Sequence, residues 1–361
     1  MRVRFSDVLN IINGKNQKQV ENPNGKYPIY GSGGIMGYAD SYICEPNTVI
    51  IGRKGSINKP IYVEVPFWNV DTAFGLYADK SKLIPKYLYY FCEKFDFEKL
   101  STTVTIPSLT KANLLDIEMQ LPPLDEQYRI VGVLDKVCGL IVKRQSQLNM
   151  LDELVKSRFI EMFGDPVANP HGFKRVTLSE LAEIKIGPFG SLLHKEDYIE
   201  GGHPLLNPSH IIDGKVAPDS KLTISDKKYA ELEAYHLHVG DVIMGRRGEM
   251  GRCAVVPYEG FLCGTGSLLI RVRGEVTADY IQKIISFPSF KKAIEDMAVG
   301  QTMPNLNVPI VSRFQIIKPP VEVQNSYYTF VKQTDKLELA VQKSLEKLEI
   351  LKKSLMQQYF G

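Results

Sequence analysis

The sequence predicts an α+β protein with a pseudo-two-fold internal repeat: two mixed α/β modules, at 1–124 and 165–321, separated by two long helices, at 125–164 and 322–361, that pack as an antiparallel coiled coil. Three observations carry this. A stretch of about forty residues occurs twice, 197 positions apart and without a gap. Its apolar residues recur at helical spacing. The segments ahead of the two copies also repeat each other, more loosely.

The long helices come first because they are the clearest copies. At the 197-residue offset Pro122-Pro123 fall on Pro319-Pro320, Gln127 on Gln324, Leu148 on Leu345, Leu151 on Leu348, Leu154 on Leu351, and Phe163-Gly164 on Phe360-Gly361. No proline lies between the leading pair and the closing glycine, and proline near a helix start with glycine just past its end is the favoured arrangement. In the first copy Ile130, Leu134, Val137, Ile141, Leu148, Leu151, Val155 and Met162 form one seam of alternating four- and three-residue steps, interrupted at Arg144 and Arg158. In the second, Val341, Leu345, Leu348, Leu351, Leu355 and Tyr359 step likewise. Such a seam calls for a partner helix laid nearly parallel or antiparallel, and the other copy is the nearest candidate. A helix of about 38 residues is roughly 57 Å long at about 1.5 Å per residue, far beyond the usual globular length, so it serves as a rod.

The modules follow in chain order. MRVRFSDVLNIINGK resembles KRVTLSELAEIKIGP at an offset of 173, predicting in each a short strand, a helix start marked by Asp or Glu, and a glycine. VIIGRKGSINKPIYV (49–63) matches VIMGRRGEMGRCAVV (242–256) at 193. Thr105-x-Pro107-x-Leu109 faces Thr302-x-Pro304-x-Leu306, back at 197. The gain of 20 positions between the first two anchors lies within 14–49 against 187–242, where the modules differ most. Short β runs at 48–51 and 240–244, glycine turns and one helix per module, at 85–100 and 278–298, complete each unit before the Pro-Pro pair.

Composition bounds the class. A chain of 361 residues exceeds what one core usually serves. No apolar run reaches the length of a membrane span and the start lacks the apolar core of a signal peptide, which predicts a cytoplasmic protein. Five scattered cysteines without a CxxC pair speak against a disulfide framework and against a zinc site. The net charge of +3 is spread evenly. Residues 1–124 hold 14 Lys/Arg against 12 Asp/Glu, 125–164 hold 6 and 6, 165–321 hold 18 and 18, and 322–361 hold 6 and 5. Charge alone therefore does not announce nucleic acid, and any such role must come from local placement.

Local placement singles out two turns. Gly52-Arg53-Lys54-Gly55 and Gly245-Arg246-Arg247-Gly248 end apolar strands in both modules. Their glycines would let the backbone approach DNA while the paired cations meet phosphates or guanine edges; the plainer alternative is a tight strand turn with solvated charges. GRKGS lacks the spacing of a phosphate-binding Walker loop. Tyr30 and Ser32, in YPIYGSGG, could lie against a groove or simply pack on their own module. In the unmatched part of the second module Ser191, His194, Lys195 and Asn207 offer donors and acceptors suited to base edges, and all six histidines fall in that module without the spacing of a metal site. Lys59 and Arg252, matched at the 193 offset, complete the candidate DNA contacts. Two similar modules also suit a two-fold object such as paired DNA half-sites.

The modules flanking coiled-coil rods, with LPPLDEQ…FG before the second module, YPIYGSGGIMGY in the first and GDVIMGRRGEMGR in the second, resemble the DNA-specificity (S) subunits of type I restriction-modification systems. The resemblance spans the whole chain, although the second rod opens PPVEVQ rather than PPLDEQ. It implies that each module is a target-recognition domain reading one half of a split sequence in double-stranded DNA. The rods would set the spacing and dock two methyltransferase (M) subunits, with Pro122, Pro123, Pro319, Pro320, Leu148, Leu151, Leu345 and Leu348 as the spacer and docking positions. Restriction/translocase (R) subunits would join them, and S-adenosylmethionine, ATP and Mg would sit on the partners.

Catalysis by this chain finds no support. Asn207-Pro208-Ser209-His210 fails the Asn/Asp-Pro-Pro-aromatic pattern of amino-group methyltransferases at its third residue. A nuclease-like Asp165 with Glu183-x-Lys185 falls in one module only, since Asn10 and Ile12 occupy the matching positions. The sequence thus predicts a non-catalytic DNA reader, against a coiled-coil scaffold with protein-binding modules and, more remotely, a self-contained nuclease.

Overall fold

The computed structural model describes residues 1–54, 56–100, 108–249, 251–297 and 305–361, apart from the side chain of Ser191. Gly55 and the expected turns at Thr105-x-Pro107 and Thr302-x-Pro304 lie outside the described residues. The chain forms two compact units, one of residues 1–148 with 340–361 and the other of 149–339. The long helices, Leu124–Phe163 and Val321–Phe360, are 40 residues each, and each is divided between the units. Compactness therefore cuts the chain differently from the four consecutive segments expected, because each module buries its apolar side under the beginning of one helix and the end of the other.

In the first unit Arg2–Arg4 pairs antiparallel with Glu118–Gln120. A four-stranded antiparallel sheet runs in the order Leu9–Asn13, Ala73–Ala78, Thr48–Gly52, Ile61–Val63. A smaller sheet sets Tyr27–Gly31 between Gly34–Ala39 and Trp68–Asn69, the last pairing parallel. The core combines Val49, Ile51 and Leu76 of the larger sheet with Tyr87, Leu88 and Phe91 of helix Pro85–Lys94 and with Ile130, Leu134 and Met356 of the long helices. Here the long helices run antiparallel: residues 130–134 share this core with 355–360, and farther along Arg144 Nε donates to Ser344 Oγ at 3.1 Å.

The second unit repeats the frame. Lys174–Thr177 pairs with Gln315–Lys318, and a four-stranded antiparallel sheet runs Ala182–Ile186, Ser267–Val272, Val242–Gly245, Cys253–Val255. In place of the smaller sheet of the first unit stands a five-stranded one, in which His203–Leu206 runs parallel to Phe261–Cys263, and the additional residues also make a hairpin of Ile211–Ile212 with Lys215–Val216. Phe159 and Phe163 meet Tyr327 edge-on at 5.5 and 5.4 Å between ring centroids, and the Tyr327 hydroxyl donates to the Val155 carbonyl at 3.3 Å.

Three expectations are corrected. The helix expected at 85–100 stops at Lys94, Phe95 is extended, and a separate 3-10 turn covers Phe97–Leu100. The helix expected at 278–298 is two, Ala278–Ser286 and Pro288–Met297, because proline has no N–H to continue the ladder and drives the preceding Phe287 out of helical backbone, to ψ 138°. Leu351 does not belong to the seam and is 44% exposed; Leu345, Lys352, Leu355 and Met356 carry the covered side instead. Lys352 can stand there because its amine meets Glu93 Oε1 at 3.1 Å.

Candidate nucleic-acid interface

Each module brings two loops together at the end of its four-stranded sheet. In the first, strand Thr48–Gly52 runs out into Arg53-Lys54 beside the turn that follows Tyr27–Gly31. A Cβ on Gly52 would stand 3.0 Å from Ser32 Cβ and 2.5 Å from the Ser56 carbonyl oxygen, so this approach admits only glycine. In the second, Val242–Gly245 runs out into Arg246-Arg247, and a Cβ on Gly245 would lie 3.2 Å from Pro208 Cβ.

The parallel strand pairs show that these neighbours are equivalent. Val70 N–H donates to Tyr30 O and Gly264 N–H donates to Leu206 O, both at 3.0 Å. Tyr30-Gly31-Ser32 thus stands where Leu206-Asn207-Pro208 does. The sequence hides this correspondence because none of the three positions shares a residue.

The first cation of each turn is clamped identically. Arg53 N–H donates to Thr72 O at 2.7 Å and its carbonyl accepts from Leu109 N–H at 2.9 Å. Arg246 N–H donates to Gly266 O at 3.1 Å and its carbonyl accepts from Leu306 N–H at 2.9 Å. A backbone held from both sides fixes where the side chain starts, which lowers the entropy cost of aiming it. The Arg53 guanidinium lies 5.8 Å from the Phe74 ring centroid, and Arg53, Lys54 and Arg247 are exposed. Arg246 is half-buried, with Nε donating to Asn305 Oδ1 at 3.2 Å. Burial, and then the adjacent Arg247, lower its pKa from the ordinary arginine value.

The remaining candidates divide by what they touch. Lys59, His194 and Lys195 are all exposed, while Ser32 is half-buried against Gly52. Tyr30 packs edge-on against Phe67 at 5.4 Å, and burial, helped by Tyr38, raises its hydroxyl pKa. Asn207 Oδ1 accepts from Gly266 N–H at 3.3 Å, so that oxygen is engaged inside the module. Arg252 reaches Glu249 Oε2 at 2.6 Å and the Pro208 carbonyl at 3.3 Å. Hydrogen bonds from Arg252 and then Lys291 hold the Glu249 carboxyl down at about 2. Other histidines are built into the module: His210 Nδ1 lies 2.7 Å from Leu205 O, and His203 and His236 sandwich Tyr229 at 3.8 and 3.7 Å. Among the described residues no group of three or more His, Cys, Asp or Glu is placed to hold a metal ion.

On the helices, Leu345 is buried and Leu148, Leu151 and Leu348 are half-buried. Pro123 and Pro320 are exposed. The Pro122 and Pro319 carbonyls accept from the side-chain amides of Gln127 and Gln324, at 2.9 and 3.0 Å. These glutamines are functional in a structural sense that sequence reasoning overlooked. Gln127 Oε1 accepts from Ile84 N–H at 2.8 Å and Gln324 Oε1 from Thr277 N–H at 3.0 Å, so each ties a long helix to the start of its module's own helix. The coincidence of Gln127 with Gln324 in the repeat was the available signal.

Comparison with known proteins bears on the whole chain. Residues 1–150 and 170–350 match the family model described as the type I restriction modification DNA specificity domain. The type I restriction enzyme MjaVIII specificity subunit of Methanocaldococcus jannaschii is 21% identical over 390 residues, covering 98% of this chain and 90% of the relative. The EcoBI specificity subunit of Escherichia coli is 19% identical, over 100% and 85% of the two chains. The crystal structure of the type I restriction-modification S subunit from M. genitalium superposes with a TM-score of 0.63 at 17% identity, over 100% and 96%. At that identity the structural likeness speaks for the fold. No helix among the described residues is long and apolar enough to cross a membrane.

Proposed function

The chain belongs to the type I restriction modification DNA specificity family, and from that premise we propose that its two modules read the two halves of a split target in double-stranded DNA. The long helices fix the separation of the readers and dock two M subunits, with R subunits joining the complex. The chain itself performs no chemistry and works in the cytoplasm, where the DNA is. S-adenosylmethionine, ATP and Mg sit on the partners, which extrude and methylate the target base.

One observation carries this reading: both modules place a clamped cation, Arg53 or Arg246, and an exposed one, Lys54 or Arg247, beside a loop whose sequence differs between modules. A constant cationic turn suits the phosphates, which every target shares. The variable Tyr30-Gly31-Ser32 and Leu206-Asn207-Pro208 loops suit base edges, which differ between targets. The even charge of the chain fits a subunit that shares phosphate neutralisation with its partners.

The test replaces Arg53 and Lys54, or Arg246 and Arg247, by Ala in the complex with M subunits. Each pair is expected to abolish specific duplex binding while the melting profile stays that of the parent. Unchanged binding would turn the assignment toward a coiled-coil scaffold with protein-binding modules.

A further inference from the structure

A cavity of about 610 Å³ opens next to the Arg246-Arg247 turn, walled by residues 211–215 of the hairpin, by Glu249 and residues 251–253, and by Gln282, Lys283, Ser286 and Lys291. Lys215, Arg252, Lys283 and Lys291 line it, against the two carboxylates Asp213 and Glu249. Glu249 alone serves two of the cations, meeting Arg252 Nη2 at 2.6 Å and Lys291 Nζ at 2.9 Å. Lys283 is half-buried, and among the described residues no carboxylate lies within ion-pair distance of its amine. Burial lowers its pKa, an effect that Lys156 adds to and Asp152 opposes. A cationic group taken partly out of water without a partner is costly to keep unless something anionic joins it.

We propose that this cleft grips the phosphodiester backbone of duplex DNA beside the reading loops, as an anchoring site that only the second module possesses. Resting on the DNA-reading assignment above, the proposal adds where the backbone continues after it leaves the Arg246-Arg247 turn. Continuity comes from Arg252, which lines the cleft and also contacts the Pro208 carbonyl in the loop cluster. In the first module Lys59 stands where Arg252 does, Ser56 where Glu249 does and Tyr90 where Lys283 does. The Tyr90 hydroxyl donates to Asp135 at 2.7 Å, so that position offers an anion nothing. The hairpin comes from the 20 additional positions of the second module. Glu249 would then act as an internal stand-in for phosphate, holding Arg252 and Lys291 in place until DNA displaces it.

The experiment measures binding of the full-length chain to fluorescent random-sequence duplex DNA across a salt series. The triple variant Lys215→Gln, Lys283→Gln, Lys291→Gln is expected to bind more weakly and to flatten the dependence of log K on log salt by about 2 to 3, at about 0.9 for each phosphate that is no longer neutralised. Glu249→Gln, which removes the competing carboxylate, is expected to bind several-fold tighter. A triple variant with the parent's salt slope overturns the proposal, as does an effect confined to assembly with the M subunit, which would make the cleft a protein-docking surface. Should the triple variant fail to fold, Glu249→Gln decides alone, and parental affinity overturns the proposal. A parent chain that binds no duplex at any salt, alone or with its M subunits, would instead remove the underlying DNA-reading assignment.

Discussion

The two modules share a frame and differ in what the frame carries. Both clamp an arginine between the same two backbone partners. Both tie the long helix to the module with a buried glutamine, and both hold the hydroxyl of the module's own tyrosine, Tyr87 or Tyr280, on a strand carbonyl, at 3.1 and 2.9 Å. Yet the loop beside the arginine, the additional hairpin and the surface under the long helix are all different. A duplicated protein keeps what positions a site and varies what the site touches, so the shared half of the comparison concerns folding and the divergent half concerns recognition.

The severest test of the shared frame is steric. A Cβ on Gly14 would stand 1.8 Å from Val70 O, and one on Gly187 2.0 Å from Gly264 O. Gly14→Ala and Gly187→Ala are each expected to cost about 4 kcal/mol or more in their own module, at the exceptional end for point changes. Because two units need not unfold together, hydrogen exchange should be followed separately in each. A variant that loosens both modules, or neither, breaks the parallel.

A second test addresses a divergent surface. Under the second module Phe159 stacks on Phe287 at 5.4 Å, whereas the first places Lys352 against Glu93. Phe159→Ala is expected to cost about 4 kcal/mol. Lys352→Ala should cost about 1 kcal/mol or less, since a partly exposed ion pair is weak. Comparable losses in denaturant titrations would mean that the two surfaces are energetically alike despite their chemistry.

A third test sharpens the comparison by counting hydrogen bonds. Gln127 makes three side-chain bonds, to Ile84 N–H, Lys82 O and Pro122 O. Gln324 shows two, to Thr277 N–H and Pro319 O. Leucine at either site leaves buried groups unpaired, so Gln127→Leu should cost about 3 kcal/mol and Gln324→Leu about 2 kcal/mol by the same measurement. The reverse order would show that something other than these bonds sets the strength of the joint.

The elements easiest to read from sequence were those governed by local rules. The short strand and helical turn at each module's start sit at Arg2–Arg4 and Phe5–Val8, and again at Lys174–Thr177 and Leu178–Leu181. Both turns are closed by an acid three residues in, where Asp7 accepts from Arg4 N–H and Glu180 from Thr177 N–H. Long helices with a recurring seam were equally legible. Leu351 was misplaced because apolar spacing alone could not foresee that a lysine would occupy a covered position, satisfied by a glutamate from a distant helix. The cationic turns were visible as a repeated glycine-flanked pair. Their neighbours were not, because Ser32 and Pro208 are brought to equivalent places by strand pairing across a region where the chain lengths differ.

The division of each long helix between two units has a consequence for how the protein is made. On the ribosome the first module emerges before the second, but Phe360, whose ring meets Tyr87 and Phe91 at 5.0 and 6.3 Å, and Leu355, Met356 and Tyr359 of the same core emerge only after it. The first module is therefore completed only after the second has been translated, and its aromatic surface stays uncovered in the meantime.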